Sequence, residues 1–174
     1  MTLTPFIISN GGWKELGRVH SLAWSGGEPV PVQRRDGDIY TLDLGIQYEI
    51  VHIPEDKIKG PYKVSTRGYM HTLQRVDEAE VIGFHWHPDG GPVKDPHMHL
   101  GTTQLSDKGV ISKKHHLPGR RMSVEEVLIF CITQLDVEPL RPDWQSVLKD
   151  SRDIFRMFAS WGGDTATEVK DPTE

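Results

Sequence analysis

Between Tyr40 and Ile50 the chain alternates with a period of two. Tyr40, Leu42, Leu44, Ile46, Tyr48 and Ile50 fall on one set of positions, with Thr41, Asp43, Gln47 and Glu49 between them. Successive side chains of a strand point to opposite faces, so the pattern predicts a strand with one face in a core and the other in water. Pro54 ends it. A short strand is expected over Val19 to Trp24, stopped by Ser25-Gly26-Gly27-Glu28-Pro29, and Gln33 to Asp38 reads as turn-like. Further strands are expected over Tyr62 to Leu73, Val81 to His87 and His97 to Leu100. Their connections are short, which favours antiparallel pairing.

After residue 122 the period changes. Ser123-Val124-Glu125-Glu126 reads as a capping box, with Ser123 as N-cap and Glu126 at the third helical position. Val124, Val127, Leu128, Cys131, Ile132 and Leu135 then form one helical face. Pro142 suits the first turn of a second helix, whose stripe is Trp144, Val147, Leu148, Phe155, Phe158 and Trp161, with Gly162-Gly163 as its stop.

These periods predict an α+β fold: a twisted antiparallel sheet of about four to six strands with two C-terminal helices packed on one face. Residues 1–163 are expected to form a single domain, followed by a polar, flexible tail over 164–174. The Leu42/Leu44 and Phe84/Trp86 faces should meet the helices. Formal net charge is -5, which gives no global basic field for nucleic acid. A single cysteine, Cys131, excludes an internal disulfide and fits a reducing compartment; its place in a helical stripe reads as core. Met1 to Gly12 has no basic n-region and no long apolar run, so no signal peptide is expected, and no stretch reaches membrane-spanning length. A cytoplasmic protein with no membrane partner is the expectation.

Six of the nine histidines lie between His85 and His116. Four form alternating pairs, His85-Trp86-His87 and His97-Met98-His99, joined by the link Pro88 to Pro96. If the two segments pair as a hairpin, four imidazoles gather on one face of the sheet. Imidazole is the side chain best suited to metal ligation or to proton transfer near neutral pH.

One reading of the cluster is a metal site in which His85, His87, His97 and His99 hold zinc or another divalent transition metal, with Asp89 and Asp95 adding oxygen or orienting a ring. The other is acid–base chemistry with no cofactor. Arg67, Tyr69 and His71 share one alternating set on the preceding strand. If that set faces His85, imidazoles, a phenol and a guanidinium meet, which are the groups needed to cleave RNA. The stretch 108–121 adds Lys108, Lys113, Lys114, Arg120 and Arg121, with His115 and His116 in its middle. A local basic loop in an acidic chain is suited to a phosphate backbone.

The order Phe84-His85-Trp86-His87, a loop, Pro96-His97-Met98-His99-Leu100-Gly101, then the capped helix Ser123-Val124-Glu125-Glu126-Val127-Leu128 resembles the small TumE-type toxins of bacterial toxin–antitoxin pairs. The likeness covers roughly residues 65 to 135. The chain departs from that family in its longer N-terminal part, its second helix and its basic loop. The resemblance implies a prokaryotic cytosolic protein with an antitoxin partner.

The leading expectation is therefore a toxin-like enzyme acting on RNA or another phosphate ester. His85, His87, His97 and His99 would form the reactive face, supported by His71, Tyr69 and Arg67. Lys113, Lys114, His115, His116, Arg120 and Arg121 would hold phosphates. The alternative is a metal-binding protein or metal-dependent hydrolase using the same four histidines. A third reading is a non-catalytic interaction module that uses exposed aromatics around Trp13 and Trp24.

Overall fold

The computed structural model describes residues 6–8, 16–24, 27–52, 60–77, 79–105 and 115–161. Its frame is a long antiparallel pair, β4 (Ile39–His52) with β5 (Tyr62–Arg75), in register over Tyr40↔Arg75 to His52↔Tyr62. Shorter strands share the two free edges. β2 (Val19–Trp24) and β3 (Val30–Gln33) pair with β4 at different heights, and β1 (Phe6–Ile8) adds outside β2. On the other side β6 (Glu80–Trp86), β7 (His97–Leu100) and β8 (Leu117–Pro118) follow in order. Nine strands are present among the described residues because several are edge additions of two to four residues.

The alternation of β4 sets the core as expected. Leu42 and Leu44 are buried, and with Tyr69, Leu73, Phe84 and Trp86 they form the sheet's half of one apolar cluster. The helical half comes from α1 (Val124–Gln134), through Val127 and Cys131. Each such side chain, fully buried, contributes about 1.5–3 kcal/mol. Phe130 meets the edge of Phe84 at 5.3 Å. The capping box is present: Glu126 N–H donates to Ser123 Oγ at 3.4 Å, and Ser123 N–H donates to Glu126 Oε2 at 3.0 Å. Burial pushes the Cys131 thiol up to about 12, so it acts as a small apolar side chain.

The second helix, α2 (Trp144–Phe158), begins two residues after Pro142 and buries none of its residues. It leans on α1 through the Ser151 hydroxyl, which donates to Glu125 at 2.6 Å. It also ends sooner than the apolar stripe suggests. Residues 159–161 form β9 (Ala159–Trp161), parallel to β5 over Val64↔Ala159 to Thr66↔Trp161. The cause is an open edge: β6 stops at Trp86↔Tyr69, which leaves the first part of β5 without a partner on that side. Trp161 is thus a strand residue, packed at 5.7 Å from Trp86 and 5.5 Å from Phe155.

Trp24, expected to be exposed, is half-buried against the core and donates its indole N–H to the Leu42 carbonyl at 2.9 Å. Trp13 and the tail over 164–174 lie outside the described residues. Among the described residues no helix is long and apolar enough to cross a membrane.

Candidate metal centre

The two histidine segments pair. β6 and β7 are antiparallel with His85↔His97 and Gly83↔His99 in register, so His85, His97 and His99 share one face. Phe84↔Met98 and Ile82↔Leu100 point the other way, into the helix-covered core. The chain then returns as β8, with Leu117 opposite Met98 and Pro118 opposite His97, and this brings in His116. His116 lies 4.5 Å from the His99 ring and 4.9 Å from the His97 ring, centroid to centroid. His87, one residue past the end of β6, stands 5.1 Å from His97. Five imidazoles therefore meet, one more than the two pairs suggest.

Three of them are placed to hold a metal ion. One ring nitrogen from each of His85, His97 and His99 lies within 4.8 Å of the other two. Tetrahedral zinc at about 2.0–2.1 Å from each nitrogen needs them roughly 3.3 Å apart, a gap that small ring rotations close. The tautomers suit the task. His97 Nδ1 sits 2.7 Å from the Asp95 carbonyl oxygen, and His87 Nδ1 sits 2.7 Å from the Gly90 carbonyl oxygen. A carbonyl only accepts, so each Nδ1 carries a hydrogen, and in a neutral ring that leaves the Nε2 lone pair free to ligate. The Nε2 atoms of His85 and His97 are buried and have no hydrogen-bond partner. Burial, reinforced by the neighbouring imidazoles, depresses His85 to about 4; burial also lowers His97. Both are neutral at pH 7, the state in which imidazole ligates.

A carboxylate belongs to this face as well. A register shift beside Leu73/Gln74 pairs Glu80 with Gln74. Gly83 has no side chain, and the space a Cβ would need is taken by His85 Nε2 at 2.9 Å and Glu80 Oε2 at 3.3 Å. Burial raises the Glu80 carboxyl above its usual range. Glu80 lies one residue before the strand expected over Val81 to His87, and the shift that turns it toward the histidines leaves no trace in the period.

The remaining expected site residues divide. Arg67 sits at the β-bulge of β5 and reaches Glu49 at 3.7 Å and Asp89 at 3.9 Å, so this cation is held near the His87 turn. Asp95 orients His97 through its backbone carbonyl and not its carboxylate. Tyr69 and His71 are on the opposite face, since His71 pairs with Phe84 while Met70 pairs with His85. The Tyr69 hydroxyl donates to the Arg120 carbonyl at 3.2 Å and accepts from Met122 N–H at 3.1 Å, and burial pushes it up to about 12. Arg121 also lies away from the histidines, 4.6 Å over the Trp86 ring, and Arg120 pairs with Glu126 at 2.8 Å. His115 is exposed, and Lys108, Lys113 and Lys114 lie outside the described residues.

His71 is 1% exposed, and neither ring nitrogen has a hydrogen-bond partner. Burial, with a smaller contribution from His85, lowers it from 6.5 to about 3. The folded chain therefore binds fewer protons there than the unfolded chain between those values. Stability is fully present above about pH 6.5 and falls as pH drops, by up to about 1.4 kcal/mol per pH unit for this group. Melting curves from pH 7 to pH 4 should show that loss, and His71→Phe should flatten it. An equally steep fall in the variant would contradict the assignment.

No protein family, curated protein or solved structure matches this chain in sequence or fold.

Proposed function

We propose that this chain is a metal-dependent enzyme whose centre is a divalent transition metal, zinc foremost, held by His85, His97 and His99. The observation that carries the reading is the convergence of three imidazoles of which two present buried, unpartnered Nε2 atoms. An unpaired buried acceptor costs on the order of 1–3 kcal/mol, which ligation would repay. Three protein ligands with a fourth position open is the pattern of catalytic zinc, which lowers the pKa of a bound water to about 7. Glu80, beside His85 across Gly83, is a carboxylate placed to serve as a base, and His87 and His116 flank the centre. The resemblance to TumE-type toxins directs the choice of substrate to RNA or another phosphate ester, with an antitoxin as protein partner in the cytoplasm.

The test is elemental mass spectrometry on untagged protein, before and after reconstitution with zinc, followed by RNA and phosphodiester cleavage assays with and without the metal. About one equivalent of metal per chain is expected from a single three-histidine site, with cleavage lost on chelation and restored by zinc. A chain that holds no metal after reconstitution would sink the reading. Cleavage of RNA by that metal-free chain would return the acid–base alternative in its place.

A further inference from the structure

The face of the sheet opposite the histidines holds a second candidate site. A cavity of about 620 Å³ lies between the sheet and the two helices, walled by Ile46, Tyr48, Val64, Leu128, Leu148 and Phe155. It is a groove partly open to solvent, and Val64 and the α2 residues that line it stay partly exposed. It is within the range of pockets that enclose small ligands, about 300–1,000 Å³. α2 roofs it with a well-patterned apolar face, yet none of that helix's residues is buried.

Two observations say what such a ligand would be. First, the cavity's lining includes the neutral imidazole of His71, nine-tenths or more buried with both nitrogens unpartnered. It sits stacked on Tyr69 at 5.0 Å, and the Tyr69 hydroxyl is already committed elsewhere. A hydroxyl or carbonyl oxygen on the ligand would satisfy it. Second, the cavity shares Ser123, Phe155 and Trp161 with an adjoining recess of about 150 Å³ ringed by Arg120, Arg121, Arg152 and Arg156. Among the described residues Glu126 is the one carboxylate lining that recess, and it engages Arg120 at 2.8 Å and Arg156 at 3.8 Å. Arg152 Nε is buried without a partner. Glu125, at the cavity rim, accepts from Ser151. Glu126 and Asp153 offset part of this positive charge, Arg121 stacks over Trp86, and the unpartnered Arg152 Nε leaves room for an anion beside the apolar groove.

We propose that this cavity binds an amphipathic oxyanion. The apolar body fills the chamber, its carboxylate or phosphate head takes the arginines, and a chain oxygen meets His71. Planar guanidinium groups bind both heads bidentately, so both share one chemistry. The site is independent of the metal centre on the other face.

Dodecanoate, dodecyl phosphate, ω-hydroxydodecanoate and dodecanol, each below its aggregation limit, serve as probes, read by calorimetry and tryptophan fluorescence. All three anions are expected to bind, ω-hydroxydodecanoate more tightly than dodecanoate, and dodecanol at least about tenfold more weakly. The Arg152→Gln/Arg156→Gln variant should weaken the anions by about tenfold or more while leaving dodecanol unchanged. Leu148→Trp should block every probe, and His71→Phe should erase the advantage of the hydroxylated chain. Metal content should stay at the wild-type level in all these variants, which separates failure here from failure of the metal reading. Absence of binding, dodecanol binding as tightly as the anions, or full binding to Leu148→Trp would overturn the proposal. So would a wild-type dimer in sedimentation that Leu148→Trp converts to monomer, since a second copy would then fill the groove. If only dodecanoate binds, the ligand is a carboxylate; if only dodecyl phosphate binds, it is a phosphate ester, and both results support the site.

Discussion

His97→Ala is expected to strip the metal from the protein while leaving the fold intact. His97 is the central member of the cluster, within reach of His85, His87, His99 and His116, and its Nδ1 is already held by the Asp95 carbonyl. Losing it removes a ligand outright, so affinity for zinc should fall by more than the roughly 10–100-fold seen when only an orienting partner is lost. The effect on stability of the metal-free chain should be small for a buried residue. His97 is 3% exposed with an unpartnered Nε2, so the variant loses packing but also removes an unsatisfied polar atom. Asp95→Asn is the matched control. The ring is oriented by the backbone carbonyl, which asparagine keeps, so affinity should stay near wild type. Competition against a chromophoric chelator reads both. Wild-type affinity in His97→Ala, or a loss in Asp95→Asn as large as in His97→Ala, would contradict the proposed centre.

The second large effect is expected at Gly101, where β7 ends. Gly101 N–H donates to the Val81 carbonyl at 3.0 Å, which brings its Cα against the β6 backbone. A Cβ there would overlap the Glu80 carbonyl carbon and oxygen. Backbone cannot swing aside as a side-chain tip can, so Gly101→Ala must prise β7 from β6, and His97 and His99 move with it. Overpacking costs about 1–3 kcal/mol and occasionally more, and this position belongs at or above the upper end. Gly119→Ala is a fair comparison. A Cβ there meets the His97 backbone at 3.4 Å, a tolerable contact, so its cost should be small. Urea unfolding curves measure both. A Gly101→Ala chain within about 1 kcal/mol of wild type would show that the two strands are less tightly joined than the structure has them.

Some of this molecule could be read from local pattern. The period of β4 marks Leu42 and Leu44 for the core, the capping box starts α1 at Val124, and β7 runs over the four residues its pattern marks. Local signals suffice there because period and capping are properties of neighbouring residues. The HxH segments carry their own alternation too. Which imidazoles meet was a matter of register, which the turn between strands sets and the period does not record.

The same limit explains the divergences. Alternation puts Tyr69 and His71 on one face with each other, but only the β5–β6 register places that face opposite His85. A stripe of apolar residues carries Trp161 as if on α2, yet the free edge of β5 draws it into β9. The irregularity beside Leu73/Gln74 turns Glu80 toward the histidines, and β8 brings His116 back across the chain. By itself the sequence determined strands β2 and β4 to β7, the start of α1, the sides that become core and the chemistry available to the site. The tertiary structure alone decided which histidines converge, which carboxylate joins them and that an apolar cavity opens on the far face. Those outcomes depend on hydrogen-bond register and edge satisfaction between segments distant in the chain, where no local period reaches.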